Sequence, residues 1–372
     1  MVKTIGLHGY PAYLPARLPR ALPLAPRTIL LLSDADRALG RLAGAGGLLP
    51  NPHILLRPYI TREALASSRI EGTQASLSDV FDATARGSIR GEVREVTNYI
   101  AALDAGLALL EQLPLSMRLI CQIHAVLLDG VRGQERVPGE VRRSQNWIGS
   151  PYNRPDTAVF VPPPVDEMKE AFSDWERFAH EDIQIPLLVK CALLHYQFET
   201  IHPFLDGNGR LGRLLIVFFL VEQGLLPAPL LYLSAYFEAH RQQYYDRLQL
   251  VREQGQLEEW IQFFLTAVAV QSRDAVERAE RLADLREQYR RVASQSRSRA
   301  PEVVEQLFEN PVVTAAYIAE RLSMTQQGAM NLIRRLEADG LVREYGRIPG
   351  RALRWVAPDI LDVLEGAGPA DP

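Results

Sequence analysis

The run His202-Pro203-Phe204-Leu205-Asp206-Gly207-Asn208-Gly209-Arg210-Leu211-Gly212-Arg213 gathers a base, a carboxylate, glycines and arginines within one short stretch. Gly207 and Gly209 let the backbone take positive φ and turn its N–H groups inward, forming an anion nest where the next helix begins. Arg210 and Arg213 lie three apart on that helix, so both forks reach one side and suit phosphate oxygens. Asp206 supplies a hard carboxylate fit for Mg²⁺ on a di- or triphosphate. His202, at the mouth of the loop, is a candidate base for a hydroxyl nucleophile. The competing reading is a capped loop between two core helices, with its arginines solvated or ion-paired.

The same residues match each defined position of His-x-Phe-x-Asp/Glu-Gly-Asn-Gly-Arg-x-x-Arg, so the chain resembles the Fic family. That resemblance implies an ATP-dependent protein adenylyltransferase. His202 would deprotonate a Ser, Thr or Tyr hydroxyl, which attacks the α-phosphate of ATP and releases pyrophosphate. Asp206 would hold Mg²⁺ between the α- and β-phosphates. Asn208 and the amides of the loop, Gly207 and Gly209 among them, would hold phosphate oxygens, and Arg210 and Arg213 the β/γ end. Phe204 reads as a core anchor for the loop. The implied partner is a protein with a hydroxyl side chain, with this chain itself a candidate target, and relatives often form homodimers. A kinase-like or phosphocholine-transferring reaction is the variant within enzymes, and the intact loop favours AMP.

Further features carry the resemblance outside the loop. Ser67, Glu71 and Gly72 fit the family's inhibitory pattern, Ser/Thr-x-x-x-Glu-Gly/Asn, in which Glu71 would pair with Arg213 and hold ATP in an unproductive pose. In some relatives the same glutamate also supports removal of AMP. Taken alone, without the downstream loop, the segment reads better as an ordinary helix end with Gly72 as its cap. Residues 139–164, rich in Gly, Pro, Asn and Ser, contain two β-prone pieces, Gln145–Ile148 and Thr157–Val161, and resemble the family's target-docking flap, with Ile148 and Gly149 beside the nucleotide. A plain surface hairpin is the alternative. Tyr244 and Tyr245 match a pair that borders the adenine pocket in relatives, although tyrosines on a helix also serve as core or rim packing. Arg252 stands where some relatives place an Asn on the nucleotide.

Helices must position these groups. Periodicity predicts them over 27–48, 61–85, 92–113, 116–128, 165–180, 185–198, 209–223, 229–252 and 257–294. The expected fold is mainly α: a helical Fic core with a β-hairpin flap, plus a C-terminal winged helix-turn-helix. The corresponding domains are 1–90, holding the inhibitory motif, 91–293, the catalytic core, and 301–365, the winged helix. Residues 294–300 read as a linker and 366–372 as a tail. In the winged helix, Gln326–Leu336 takes the recognition position, and Arg334, Arg335, Arg343, Arg347, Arg351 and Arg354 offer cations to phosphates. Protein contact is the competing use of that domain. A rival function of the whole chain follows: a nucleotide-sensing, DNA-binding transcriptional regulator.

Composition sets the outer limits. Over 372 residues the net charge is −4, which argues against a chain built to coat nucleic acid. No stretch approaches the roughly 18 consecutive apolar residues of a membrane span, so no membrane partner is expected and the cytoplasm is the default location. Cys121 and Cys191 sit singly in apolar helical patterns, which argues against a disulfide framework or zinc cluster. His124 and His195 lie on apolar faces and read as satisfied core histidines.

Overall fold

The computed structural model describes residues 2–5, 9–48, 52–149, 154–295, 298–346 and 352–366. They form two compact units: Met1–Ala43 with Asn98–Ser272, and Gly44–Thr97 with Arg273–Pro372. The fold is mainly helical, as expected.

In chain order the elements are β1 (Val2–Ile5), β2 (Pro11–Leu14), α1 (Pro26–Leu48), α2 (Pro52–Ile70), α3 (Leu77–Ala85), α4 (Glu92–Leu110), α5 (Met117–Leu127), α6 (Val165–His180), α7 (Leu187–Ile201), α8 (Asn208–Glu222), α9 (Ser234–Ala239), α10 (Arg241–Gln254), α11 (Leu257–Ala293), α12 (Ala300–Glu309), β3 (Val312–Thr314), α13 (Ala315–Arg321), α14 (Gln326–Ala338), β4 (Arg343–Glu344), β5 (Arg354–Val356) and α15 (Pro358–Glu365).

The centre of the first unit is the pair α7 and α8. Nearly every residue of both is buried, the mark of helices apolar on all faces rather than on one stripe. Gly212 lets them approach closely: a β-carbon there would overlap Glu199 Oε1 and lie 3.2 Å from Phe198 Cδ1. Gly106 of α4 meets the ring of Phe218 in the same way. Trp175 and Trp260 pack on α7 and donate their indole N–H groups to the carbonyls of Leu194 (2.8 Å) and Ala192 (2.9 Å). The antiparallel pair β1–β2 was not signalled by periodicity, and the Tyr13 amide donates to the Val161 carbonyl (2.9 Å).

Several boundaries depart from the sequence reading. The helix expected over 61–85 starts earlier, at Pro52, and is two helices. Gly72 takes φ +102°, which stops α2, and the capping box of Ser76 and Asp79 restarts the chain as α3. The helix expected over 229–252 is also divided, into α9 and α10. In the flap, the described residues show a single antiparallel bridge, Ile148 with Phe160, rather than two strands; residues 150–153 lie outside the described residues.

The second unit joins α2 and α3 to a winged helix-turn-helix. Thr314 and Thr325 cap α13 and α14. The three-stranded sheet runs β3-β5-β4, antiparallel throughout. It docks on α3: Asn310 Nδ2 donates to the Phe81 carbonyl (3.0 Å), Thr314 Oγ1 to the Ala85 carbonyl (3.3 Å), and Arg354 Nη1 lies 2.8 Å from Asp82 Oδ2.

Candidate active site

His202 caps the C-terminus of α7 with φ +48° and ψ +62°, a left-handed conformation uncommon for a residue with a side chain. Holding it there costs of order 1–3 kcal/mol, which the surrounding contacts must offset. The chain then turns through Pro203–Gly207 into α8. Gly207, at φ +77°, is the N-cap, and the helical ladder opens with the Leu211 amide donating to the Gly207 carbonyl (3.0 Å). The amides of Asn208 and Gly209 precede that ladder and point the positive end of the helix at the loop.

Asn208 is a strap. Its carboxamide accepts from the Phe204 amide (2.9 Å) and donates to the Phe204 carbonyl (2.8 Å). Both bonds shape the loop, so the carboxamide is turned toward the backbone of Phe204. Phe204 itself is fully buried, as its reading as an anchor requires. Asp206 is partly exposed. Its Oδ1 accepts from the Gly207 amide (2.6 Å) and lies 3.8 Å from Arg210 Nη2. Arg210 and Arg213 are both buried beneath the loop, at 1% and 2% exposure.

Two histidines outside the motif hold the loop from below, and both are satisfied core histidines as expected. His124 stacks on the Phe204 ring, with centroids 3.9 Å apart. Its Nδ1 accepts from the Gly139 amide (2.8 Å), so the proton sits on Nε2, which donates to the Asp206 carbonyl (3.0 Å). Burial pushes its pKa down to about 4. In His195, Nδ1–H donates to the Gly212 carbonyl (3.1 Å) and Nε2 accepts from the Tyr244 hydroxyl (2.9 Å). Burial lowers its pKa to about 3. Both rings are neutral at physiological pH, so their tautomers are fixed by these bonds.

The remaining candidates fall in different settings. Ile148 is half-buried and Gly149 exposed, beside the bridge to Phe160. Tyr244 is a core residue, stacked on Phe237 at 4.6 Å, whereas Tyr245 is exposed. The buried guanidinium of Arg252 lies 3.9 Å over the Phe160 ring and donates to Thr200 Oγ1 (3.2 Å) and the Glu199 carbonyl (3.2 Å). Ser67, Glu71 and Gly72 belong to the second unit. Ser67 is buried on α2, Glu71 is half-buried in the turn beyond it, and Gly72 leaves that turn with positive φ.

On α14, Gln326, Gln327, Asn331 and Arg334 are exposed. Arg354 does not join them: it is buried against Asp82, so the expected basic surface loses that residue. Arg347 and Arg351 lie outside the described residues. Among the described residues there is no cluster of three or more His, Cys, Asp or Glu able to hold a metal, and no helix long and apolar enough to cross a membrane.

Comparison with known proteins places these features. The Fic/DOC family N-terminal model matches residues 29–108, the Fic/DOC family model residues 114–220, and an HTH DNA binding domain model residues 300–352. Proteins named protein adenylyltransferase Fic are similar at 28% identity over 202 residues in Drosophila willistoni and 29% over 204 in Aedes aegypti. Each alignment covers 52% of this chain and 37% of the relative, so the chain spans little more than a third of the length of those relatives. Among solved structures, a Fic family protein from Desulfovibrio desulfuricans G20 shares the fold with a TM-score of 0.59 at 21% identity, covering 94% of this chain and 99% of its own. A Fic domain containing signaling protein from Bacteroides thetaiotaomicron VPI-5482 does so at 0.52 and 18%, over 68% of this chain and 97% of its own. With the motif, the loop and two adjoining family models in agreement, the chain belongs to the Fic/DOC family.

Proposed function

We propose that this protein is an adenylyltransferase that moves AMP from ATP to a Ser, Thr or Tyr hydroxyl of a protein, with Glu71 as its brake. The observation that carries the reading is the loop itself: a histidine at its mouth, a partly exposed carboxylate, a helix N-terminus and two buried arginines, in one turn of chain. The names of the relatives point the same way.

In this reading the phosphates lie on the N-terminus of α8, where orphan amides and the helix dipole favour anions, and Arg210 and Arg213 neutralise the β/γ end. His202 accepts the proton of the target hydroxyl. Its oxygen forms a bond to the α-phosphorus, the bond to the bridging oxygen breaks, and pyrophosphate leaves. Catalysis here is positioning and charge stabilisation. Asp206 is the residue that would hold Mg²⁺. A lone, partly exposed carboxylate beside a phosphate nest fits an ion that usually takes one or two carboxylates and completes its shell with phosphates and water. When bound, the ion would offset phosphate charge.

Glu71 would act by competing with nucleotide for Arg213. Support for this lies in the match of Ser67, Glu71 and Gly72 to the inhibitory pattern and in the turn that Gly72 ends. A second reading, a nucleotide-sensing DNA-binding regulator, is favoured by the HTH DNA binding domain match and by the exposed Gln, Asn and Arg side chains of α14, types that read base edges.

The test is labelling with ATP carrying ³²P at the α- or the γ-phosphate, with wild type, Glu71→Gly and Glu71→Gly/His202→Ala side by side. AMP transfer gives label from α only, stronger without Glu71 and lost without His202. Label from γ would replace it with a kinase-like reaction. Nucleotide binding without labelling of itself or of proteins in a lysate, together with salt-dependent, sequence-specific DNA retention, would establish the regulator.

A further inference from the structure

The carbonyl of His202 accepts two side-chain hydrogen bonds, from Arg142 Nε (3.0 Å) and Asn146 Nδ2 (3.2 Å). Neither donor belongs to the loop motif. Asn146 Nδ2 also donates to the Phe204 carbonyl (2.8 Å), and the Arg142 amide donates to the Pro203 carbonyl (2.9 Å). Together the two residues therefore fix three successive carbonyls of the segment that leaves α7. The rest of the Arg142 guanidinium turns toward the two arms of the flap: Nη1 donates to Ser144 O (3.2 Å), just before the piece Gln145–Ile148, and Nη2 to Pro163 O, just after Thr157–Val161.

Arg142 is 2% exposed, and among the described residues its side-chain hydrogen bonds go to the main-chain carbonyls of His202, Ser144 and Pro163. Burial lowers its pKa to about 10, which leaves it a cation at neutral pH, so these bonds are charge-assisted. A guanidinium reaches these three separated acceptors from three different nitrogens held in one rigid plane, whereas the three donors of an ammonium radiate from a single point on a flexible stem. Burying this cation costs free energy that its hydrogen bonds must offset, and the same bonds help hold the left-handed histidine in place.

We propose that Arg142 and Asn146 are positioning residues: they lock His202 in its left-handed conformation and tie it to both arms of the flap, so that proton acceptor and target-docking segment form one rigid piece. The inference rests on the adenylyltransferase reading for its kinetic consequences, but the lock itself is a statement about the His202 backbone. It predicts that chemistry suffers while nucleotide binding, seated on α8, does not.

The experiment uses the full chain in the Glu71→Gly background with Arg142→Lys, Asn146→Ala and both together. Four quantities are read: melting temperature, Kd for Mg-ATP by calorimetry, kcat and KM for AMP transfer, and the His202 ring resonances in long-range ¹H–¹⁵N spectra, assigned by their loss in His202→Ala. The expected result is a fall in kcat of at least about tenfold, since small misplacements of a reacting group cost up to about a hundredfold. The Kd for Mg-ATP stays within about twofold, and the His202 resonances shift or broaden. The double variant loses less than the product of the two single effects, because both donors serve one carbonyl. An unchanged kcat, or an equal loss of nucleotide affinity, overturns the proposal and leaves the pair as general supports of the loop. Should Arg142→Lys not fold, Asn146→Ala removes an uncharged donor and carries the same readouts. If the parent transfers no AMP, the functional reading fails separately. The His202 resonances then decide the lock, moved signals upholding it and unmoved ones refuting it.

Discussion

Two buried neutral histidines make the first unit sensitive to mild acid. His124 and His195 have pKa values lowered by burial from 6.5 to about 4 and about 3. Both are essentially unexposed, so solvent screening removes little of the effect. The sign follows from proton counting. Between pH 6.5 and 4 the unfolded chain binds a proton at each site and the folded chain does not, so stability is present at pH 7 and is lost as pH falls. One pKa unit is about 1.4 kcal/mol, and from pH 7 to pH 5 the two sites together remove roughly 3–4 kcal/mol. The carboxylates held below their ordinary values, Asp79, Glu181 and Glu302, titrate mostly below this window. The assay is urea unfolding at pH 7, 6 and 5 followed by tryptophan fluorescence, because Trp175 and Trp260 are bonded to α7, the helix that carries His195. His195→Gln keeps a donor and an acceptor but cannot titrate, so its slope of stability against pH should be about half that of wild type near pH 5. A flat wild-type profile, or a variant with the wild-type slope, would refute the reasoning.

Other perturbations have comparably definite outcomes. Gly212→Ala places a methyl group against Glu199 and Phe198 where α7 and α8 meet, and should destabilise by about 1–3 kcal/mol, read as a lower melting temperature. A melting temperature equal to wild type would mean the two helices are free to move apart. Asp82→Ala leaves Arg354 buried without its carboxylate and should cost about 3 kcal/mol. Hydrogen exchange should then quicken in α3 and in β5; protection unchanged in both would show that the pair does not hold the sheet to α3.

Motif chemistry was legible because it is local. The spacing of Gly207, Arg210 and Arg213 dictates a turn followed by a helix, and the structure has that turn. The helices α1, α6 and α11 were legible for a related reason: an unbroken apolar rhythm ends only where a cap or breaker stands. Harder cases had competing signals. From Thr61 to Ala85 the rhythm continues across Gly72, and the break is recorded by that glycine and by the capping box at Ser76 and Asp79 rather than by the periodicity. Arg354 looked like a surface cation because its partner, Asp82, lies far away in sequence. The strands β1 and β2 are four residues each and contain Pro11, too short and too irregular for a period to show.

Arg142 and Asn146 were invisible for a different reason, and it bears on how such a loop is built. A left-handed histidine followed by a proline and a tight turn leaves carbonyls that neither α7 nor α8 can satisfy, and buried carbonyls require partners. Side chains supply them: Arg142 and Asn146 at His202, Asn146 and Asn208 at Phe204, His124 at Asp206. Arg142 and Asn146 lie in a polar stretch, Arg142-Arg143-Ser144-Gln145-Asn146, which by sequence alone resembles a surface position although both are buried. The groups suited to chemistry and the groups that hold the backbone are thus largely separate sets. The carbonyls of His202 and Phe204 each have two such donors, so losing one leaves the other, whereas an apolar residue in place of His124 would take from the Asp206 carbonyl its side-chain partner, at about 1–3 kcal/mol. The loop's shape therefore depends on residues spread from His124 to Asn208, of which only Asn208 belongs to the motif that identifies it.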